Sequence, residues 1–438
     1  MIAREPVTNS GSPAVGGSRA LSAPRKEREV AVHPRPRRIQ GLDAARGFAL
    51  IGMIIVHSMP SRNPDTGGVS LLHQIFSGHA APLFALLAGV SLALLTGGAT
   101  AHDGRRLRCD RVMIMTRALV LLVFGMALNF MPLPVFSILP FYGIYFLMGI
   151  LFVGARSYTL WLWAGSFALF GPFLAHAVGQ SEAFESISAP TLVTAVSEPL
   201  DVIVSLVAVG YYPALTWMAY ILLGMALGRM DLSRRRVHYL MMFGGALVAG
   251  VTVVISSLLV RWFDIPGRLL EQSWLTDAEI TEILEFGGPL PIDSWWWMAV
   301  NGPHTNTPLS LLSTAAIAVS VLGVFLFLGT FAERALAFLA APGSMTFTMY
   351  SAHLVLMAFA PVYSYPVFWT LLQITAAIIV GLAWSILFRQ GPLERVISKT
   401  SKWAGHAAVP ETPRRGDSKD RRKNSAVSKA PPGRGNRG

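Results

Sequence analysis

Histidine is the side chain in this sequence best suited to proton chemistry near neutral pH, and its placement is uneven. His57 closes the apolar run that begins near Asp43, His73, His79 and His304 fall in or beside polar connections, and His353 lies inside a second apolar run. A neutral imidazole can take the proton of a hydroxyl held within hydrogen-bond reach. No Asp or Glu sits in the interior of an apolar run, which argues against the carboxylate relay of proton-coupled transport. The eleven-residue step from Arg46 to His57 returns to nearly the same helix face at about 100° per residue, and Asp43 joins that face. One helix would then hold Arg46 and His57 about 16 Å apart. The same spacing also reads as an Asp43–Arg46 surface pair with a histidine packed against a neighbouring helix.

Other candidates surround this stripe. In GSMTFTMYSAHLVLM, Thr346, Tyr350 and His353 are spaced by four and three residues and share a face that must meet protein or water, either as helix glue or as a site. Arg105 and Arg106 lie in a polar connection and Arg117 just inside the following apolar run. Guanidinium groups suit phosphate oxygens, although such charges also follow from membrane topology. Trp295, Trp296 and Trp297 precede Asn301 and His304. They read either as anchors at a bilayer interface or as an aromatic platform for a sugar ring or lipid. No cluster has metal-ligand spacing and no glycine pattern marks a nucleotide loop.

The elements that must position these residues are membrane helices. Of 438 residues 53% are hydrophobic and 14% charged, with a mean hydropathy of +0.51, whereas a soluble chain has about a quarter charged. The single cysteine, Cys109, excludes an intrachain disulfide scaffold. Ten apolar stretches approach the roughly 20 residues needed to cross hydrocarbon: 43–60, 79–97, 112–131, 135–154, 158–178, 205–228, 237–260, 309–330, 344–361 and 366–388. With both termini placed in the cytoplasm, 33 of the 36 Lys and Arg fall inside, and the inner and outer faces carry net +21 and −9. That asymmetry is the positive-inside pattern, so the basic excess calls for anionic lipid rather than nucleic acid. The expected fold is all-α: a polytopic integral membrane helical bundle of about ten transmembrane helices at residues 41–403. A disordered basic arm is expected at 1–40, with no signal peptide, and a disordered basic tail at 404–438.

Two segments carry a resemblance. RIQGLDAARGFALIGMIIVH, through Arg38, Asp43, Arg46 and Gly47, and HAAPLFALLAGVSLALLTGG, through Pro82, Phe84, Gly89 and Ser91, are similar to the start of the catalytic domain of heparan-alpha-glucosaminide N-acetyltransferase and its bacterial relatives. FRQGPLERV resembles the closing motif of the related YeiB-type membrane proteins. The family has an Asn at the outer end of the first helix where this chain has His57, and its catalytic His precedes a Trp in the outer loop, where this chain offers His73 and His79 without that Trp.

The resemblance implies a multi-pass plasma-membrane acyltransferase, with acyl-CoA (acetyl-CoA) as cytosolic co-substrate and no metal. The acyl group would pass to a hydroxyl or amine of an extracytoplasmic glycan or glycolipid, directly or through an acyl-histidine. Asp43, Arg46, Arg117, Arg105 and Arg106 would hold the coenzyme. His57, His79, His73 or His353 would supply the catalytic imidazole, and Trp296, Asn301, His304 and Tyr350 would contact the acceptor. Implied partners are membrane lipids and the acceptor, with a homodimer left open. The competing reading is a transporter or lipid flippase that keeps the fold without acyl chemistry.

Overall fold

The computed structural model describes residues 39–409 apart from 182 and 389. Of the arm expected at 1–40 and the tail expected at 404–438, residues up to 38, Arg38 included, and from 410 lie outside the described residues, whereas Gln40 already starts the first helix and residues 404–408 are the helical end of the last one rather than disordered tail. In lipid a backbone must satisfy its own polar groups, which leaves an apolar run the choice of helix or closed barrel. The described chain takes helix almost throughout, with one isolated antiparallel bridge, Arg62 to Val69. In order, the helices are α1 Gln40–Ser58, α2 Leu71–Phe76, α3 Ala80–Leu95, α4 Gly104–Leu128, α5 Leu139–Gly149, α6 Ser157–Gly179, α7 Thr194–Ser197, α8 Pro199–Val204 and α9 Ala214–Gly228. They continue as α10 Arg235–Tyr239, α11 Gly245–Trp262, α12 Ile265–Gln272, α13 Asp277–Phe286, α14 Pro308–Leu328, α15 Ala337–Gly343, α16 Thr346–Phe359, α17 Pro366–Leu387 and α18 Pro392–Ala408.

Among the described residues seven helical stretches are long and apolar enough to cross a bilayer: α1, α2 with α3, α4, α6, α10 with α11, α14 and α17. An eighth is a bent pair, Pro199–Val209 and Ala214–Gly228, meeting at 54°. The two remaining apolar stretches form shorter helices than their length in sequence suggests: α5 has 11 residues and α16 has 14. Pro140 sits in the first turn of α5, and α16 ends at Phe359, ahead of Pro361. Proline is suited to a helix start and opposes continuation. The polytopic helical membrane fold therefore stands, and among the described residues seven helical stretches, or eight with the bent pair, are long and apolar enough to span where ten were expected.

Helix α1 is central and packs on α3, α14, α15, α16 and α17. Its approach to α15 is backbone on backbone: a Cβ on Gly47 would lie 2.0 Å from the Leu339 carbonyl oxygen, and one on Gly343 1.8 Å from the Asp43 oxygen. Gly89 of α3 and Gly224 of α9 interlock in the same way, at 2.1 Å from Ile221 oxygen and 2.0 Å from Leu86 oxygen. Without a solvent-driven hydrophobic effect, such small-residue contacts are what bring membrane helices together. The outer faces of α6, α11 and α17 carry exposed Leu162, Phe170, Leu247, Val254 and Ile386, as a lipid-facing rim requires.

Candidate functional site at the His57 end of the first helix

Two histidines 296 residues apart in sequence meet here: His57 Nδ1 and His353 Nε2 are 2.9 Å apart. His57 is the last-turn residue of α1, and α16 brings His353 beside it. The ring centroids are 5.2 Å apart with planes 9° from parallel. Given the nitrogen separation, that leaves only each nitrogen's distance to its own ring centre, so the imidazoles lie end to end in one plane. His353 Nδ1 reaches Gln373 Oε1 of α17 at 2.5 Å, and Gln373 Nε2 donates to Ser58 Oγ at 3.2 Å. His353 and Gln373 are 4% and 6% exposed, while His57 is half-buried.

A cavity of about 560 Å³ with a mixed lining lies at the same end of the bundle, where His73, His79, Asn301, Thr314, Arg62 and Glu282 stand among apolar Val253, Phe286 and Ile317. Arg62 donates to Glu282 at 2.8 Å and lies over the Phe286 ring at 4.3 Å, tying the loop after α1 to α13. The His73 imidazole interacts with the carbonyl of Val56, the residue before His57. His73, which lines the cavity, and His304 lie close enough to His57 for their charges to bear on its ring. The Nδ1 atoms of His79 and His304 are buried without a protein partner, a sign of room for water or substrate.

The segment from Asn301 to Thr307 closes this region and is held by polar contacts. His304 and Asn306 adopt left-handed φ of 57° and 54°, a conformation that costs non-glycine residues roughly 1–2 kcal/mol each. Asn306 is fixed by Trp217, whose Nε1 donates to its Oδ1 at 2.8 Å, and by its own Nδ2 donating to the Tyr211 oxygen at 3.3 Å. Tyr211 and Tyr212 form the break of the bent pair, and Tyr145 Oη donates to the Tyr212 oxygen at 2.6 Å. Side chains thus satisfy carbonyls that the missing helical turn releases. The same tyrosines flank His304, with ring centroids 5.1 and 5.8 Å away. Burial, with the His79 ring nearby, pushes the His304 imidazole down to about 4, so it is neutral at pH 7.

At the other end of α1, Arg46 Nη1 donates to Asp43 Oδ1 at 2.7 Å and Nη2 to Ser91 Oγ of α3 at 2.5 Å. The Asp43–Arg46 pair expected from spacing is therefore present, and the third member, Ser91, comes from the other resembling segment. Arg117 Nε donates to Ser401 Oγ at 3.3 Å, and Arg105 Nη2 to the Val409 oxygen at 3.4 Å, so both touch the α18 region. Arg106 is exposed.

The family model for heparan-alpha-glucosaminide N-acetyltransferase, catalytic, matches residues 38–262, just over half of the chain. The chain belongs to that family. No individual curated protein matches it. The match covers α1 to α11 and so includes Arg46, His57, His73 and His79. The acetyltransferase family assignment also gives the pattern residues a physical reading: Gly47 and Gly89 let backbones touch, and Ser91 receives Arg46. His353 and Gln373 lie beyond the matched segment.

The remaining candidates fall in different places. Tyr350 is buried, its Oη 3.4 Å from the Ile138 amide and its ring 6.4 Å from that of His353. Asn301 lines the cavity. Trp296 instead packs beside Phe263 and under the Arg268 guanidinium at 4.6 Å, while Trp297 is fully buried and donates from Nε1 to Asp293 Oδ1 at 2.9 Å. Among the described residues no group of His, Cys, Asp or Glu is arranged to hold a metal ion.

Reading the sequence missed three residues. Gln373 is a lone amide in an apolar run, a signal that a polar group faces protein. Arg229 is buried and donates to the Gly98 oxygen at 2.7 Å and the Val153 oxygen at 2.6 Å, sealing the turns that follow α3 and α5. Glu394, within the GPLE of the closing motif, accepts from the amides of Phe347 and Thr348 at 2.8 and 3.1 Å and from Thr348 Oγ1 at 2.6 Å. Its carboxylate therefore caps the start of α16, the helix that carries His353. Replacing Glu394 by alanine is expected to cost about 1–3 kcal/mol through the orphaned amides and to lower the thermal midpoint in detergent. Glu394→Gln should recover part of the loss, and an unchanged midpoint for Glu394→Ala would deny the capping role.

Proposed function

We propose that this acetyltransferase-family member moves an acyl group, in the first instance acetyl, from cytosolic acyl-CoA to a hydroxyl or amine of a glycan or lipid-linked sugar on the outer face of the plasma membrane. The observation that carries this reading is the imidazole pair at one end of α1, at the same end of the bundle as a cavity lined by His73 and His79, with Arg46 at the opposite end of the same helix. In this reading both termini are cytoplasmic, the Arg46 end faces the cytosol, and residues 41–403 are the catalytic membrane domain between basic ends. The positive-inside charge distribution supports that orientation.

His57 is the preferred base among the candidates. As the acceptor oxygen or nitrogen bonds to the thioester carbonyl carbon, its proton passes to His57. The carbon–sulfur bond then breaks, and the departing thiolate takes that proton. His73, His79, Asn301 and His304 would line the acceptor side, with Tyr350 behind the pair. Arg46, Arg117, Arg105 and Arg106 would meet coenzyme phosphates, with Asp43 orienting Arg46. Trp296 would contribute at most to the outer rim.

The bent span α8–α9 favours the transporter reading, since broken helices often form transport sites. Against that reading, side chains already take its exposed Tyr211 and Tyr212 carbonyls. The deciding test is incubation of purified protein with labelled acetyl-CoA and a cell-envelope extract. Protein-dependent label in a glycan or glycolipid is expected, and no labelled acceptor would favour transport.

A further inference from the structure

The hydrogen bonds around the imidazole pair have a direction. Gln373 Nε2 faces Ser58 Oγ at 3.2 Å, which leaves Oε1 for His353 Nδ1 at 2.5 Å. A carbonyl oxygen only accepts, so the His353 proton resides on Nδ1 and its Nε2 bears a lone pair. That lone pair meets His57 Nδ1 at 2.9 Å in a common ring plane, so His57 must supply the hydrogen there. A neutral His57 then has its own lone pair on Nε2, the nitrogen turned away from His353. With the Gln373 amide oriented this way, a change of either tautomer alone would set two N–H groups, or two lone pairs, against each other in a site where Ser58, Gln373 and His353 are all buried.

We propose that Gln373 is a positioning residue that fixes the tautomers of His353 and His57 in series and so selects His57 Nε2 as the proton-accepting atom. The proposal concerns the same site as the acyl-transfer reading and rests on it for its catalytic meaning, but the tautomer order is a property of the folded chain alone. Besides the pair itself, the ionisable side chains facing it are His73 from α2, His304 from the loop before α14, and Tyr350 one turn earlier on α16.

The test uses the full chain in detergent and reads two quantities against pH. One is carbethoxylation of His57 by diethyl pyrocarbonate, which attacks an unprotonated ring nitrogen, followed by peptide mass spectrometry; the other is acetyl transfer. Gln373→Glu puts a carboxylate on His353 Nδ1 and favours a cation on the pair, so the midpoint for His57 modification should move up by about one pH unit or more. Gln373→Leu removes the acceptor, and His57 modification and kcat should each fall by roughly tenfold or more, the scale on which partners of functional imidazoles act.

Profiles of Gln373→Glu that overlay the wild type, or a wild-type His57 that resists modification at pH 8, would overturn the proposal. Should Gln373→Leu fail to fold, the Gln373→Glu midpoint decides. If the modification profiles shift as expected while no variant, nor the wild type, transfers acetyl, the positioning stands and the acyl-transfer reading falls.

Discussion

Replacing His57 by alanine is expected to lower acetyl transfer by about 10²–10⁴-fold, the usual contribution of a positioned general base, while the protein still inserts and folds. The imidazole is half-buried at a helix end. Its removal leaves His353 Nε2 without its donor, a loss of about 1–3 kcal/mol that a bundle of this size should tolerate. His57→Asn sharpens the test because asparagine is the residue expected there from the family resemblance: it supplies a donor but no basic nitrogen. Initial rates and thermal midpoints measured side by side separate the outcomes. Both variants should be inactive and folded, and a fully active His57→Asn would remove the imidazole from the proton-transfer step.

The largest expected structural effect comes from Gly343. A Cβ there would stand 1.8 Å from the Asp43 carbonyl oxygen and 2.6 Å from the Gly47 amide nitrogen. Both atoms belong to the backbone of α1, so no side chain can swing aside. Gly343→Val must push α15 from α1, and α1 is the helix that carries both Arg46 and His57. The cost should exceed the roughly 1–3 kcal/mol of ordinary overpacking, and the variant should fail to give a monodisperse peak on size-exclusion in detergent. Gly165 and Gly250 are the controls, since nothing lies within 4 Å of a Cβ built on either. Alanine at those positions should raise stability by about 0.5–1 kcal/mol. Equal behaviour of Gly343→Val and Gly250→Ala would show that the α1–α15 contact is looser than described.

The sequence made some of this legible and hid the rest for identifiable reasons. Apolar length and charge asymmetry are sufficient to read a helical membrane protein, because a bilayer imposes both. Apolar length does not report where a helix stops: α5 and α16 are cut short beside Pro140 and Pro361, inside stretches that read as full spans. The Asp43–Arg46 pair was readable because it is local, three residues apart on one face. His57 and His353 were each visible as titratable groups, but their contact closes over 296 residues and depends on α1 and α16 meeting. Gln373 and Glu394 escaped notice for a related reason. Neither has a local partner that explains it, and each acts on α16 from another element. The surroundings of the tryptophan triplet were not readable from its spacing: the three rings of one short turn meet three different neighbours, with Trp295 against His176, Trp296 under Arg268 and Trp297 in the core of the α11–α14 connection.

Sidedness is the most direct test of the central claim. Purified protein is reconstituted into liposomes in one orientation, labelled acetyl-CoA is supplied only at the Arg46 face, and a membrane-impermeant acceptor glycan only at the His57 face. Label should accumulate on the acceptor with the wild type and not with His57→Ala. Label that appears only when donor and acceptor share one compartment, or that appears equally with His57→Ala, would contradict transfer through the bundle to the His57 end.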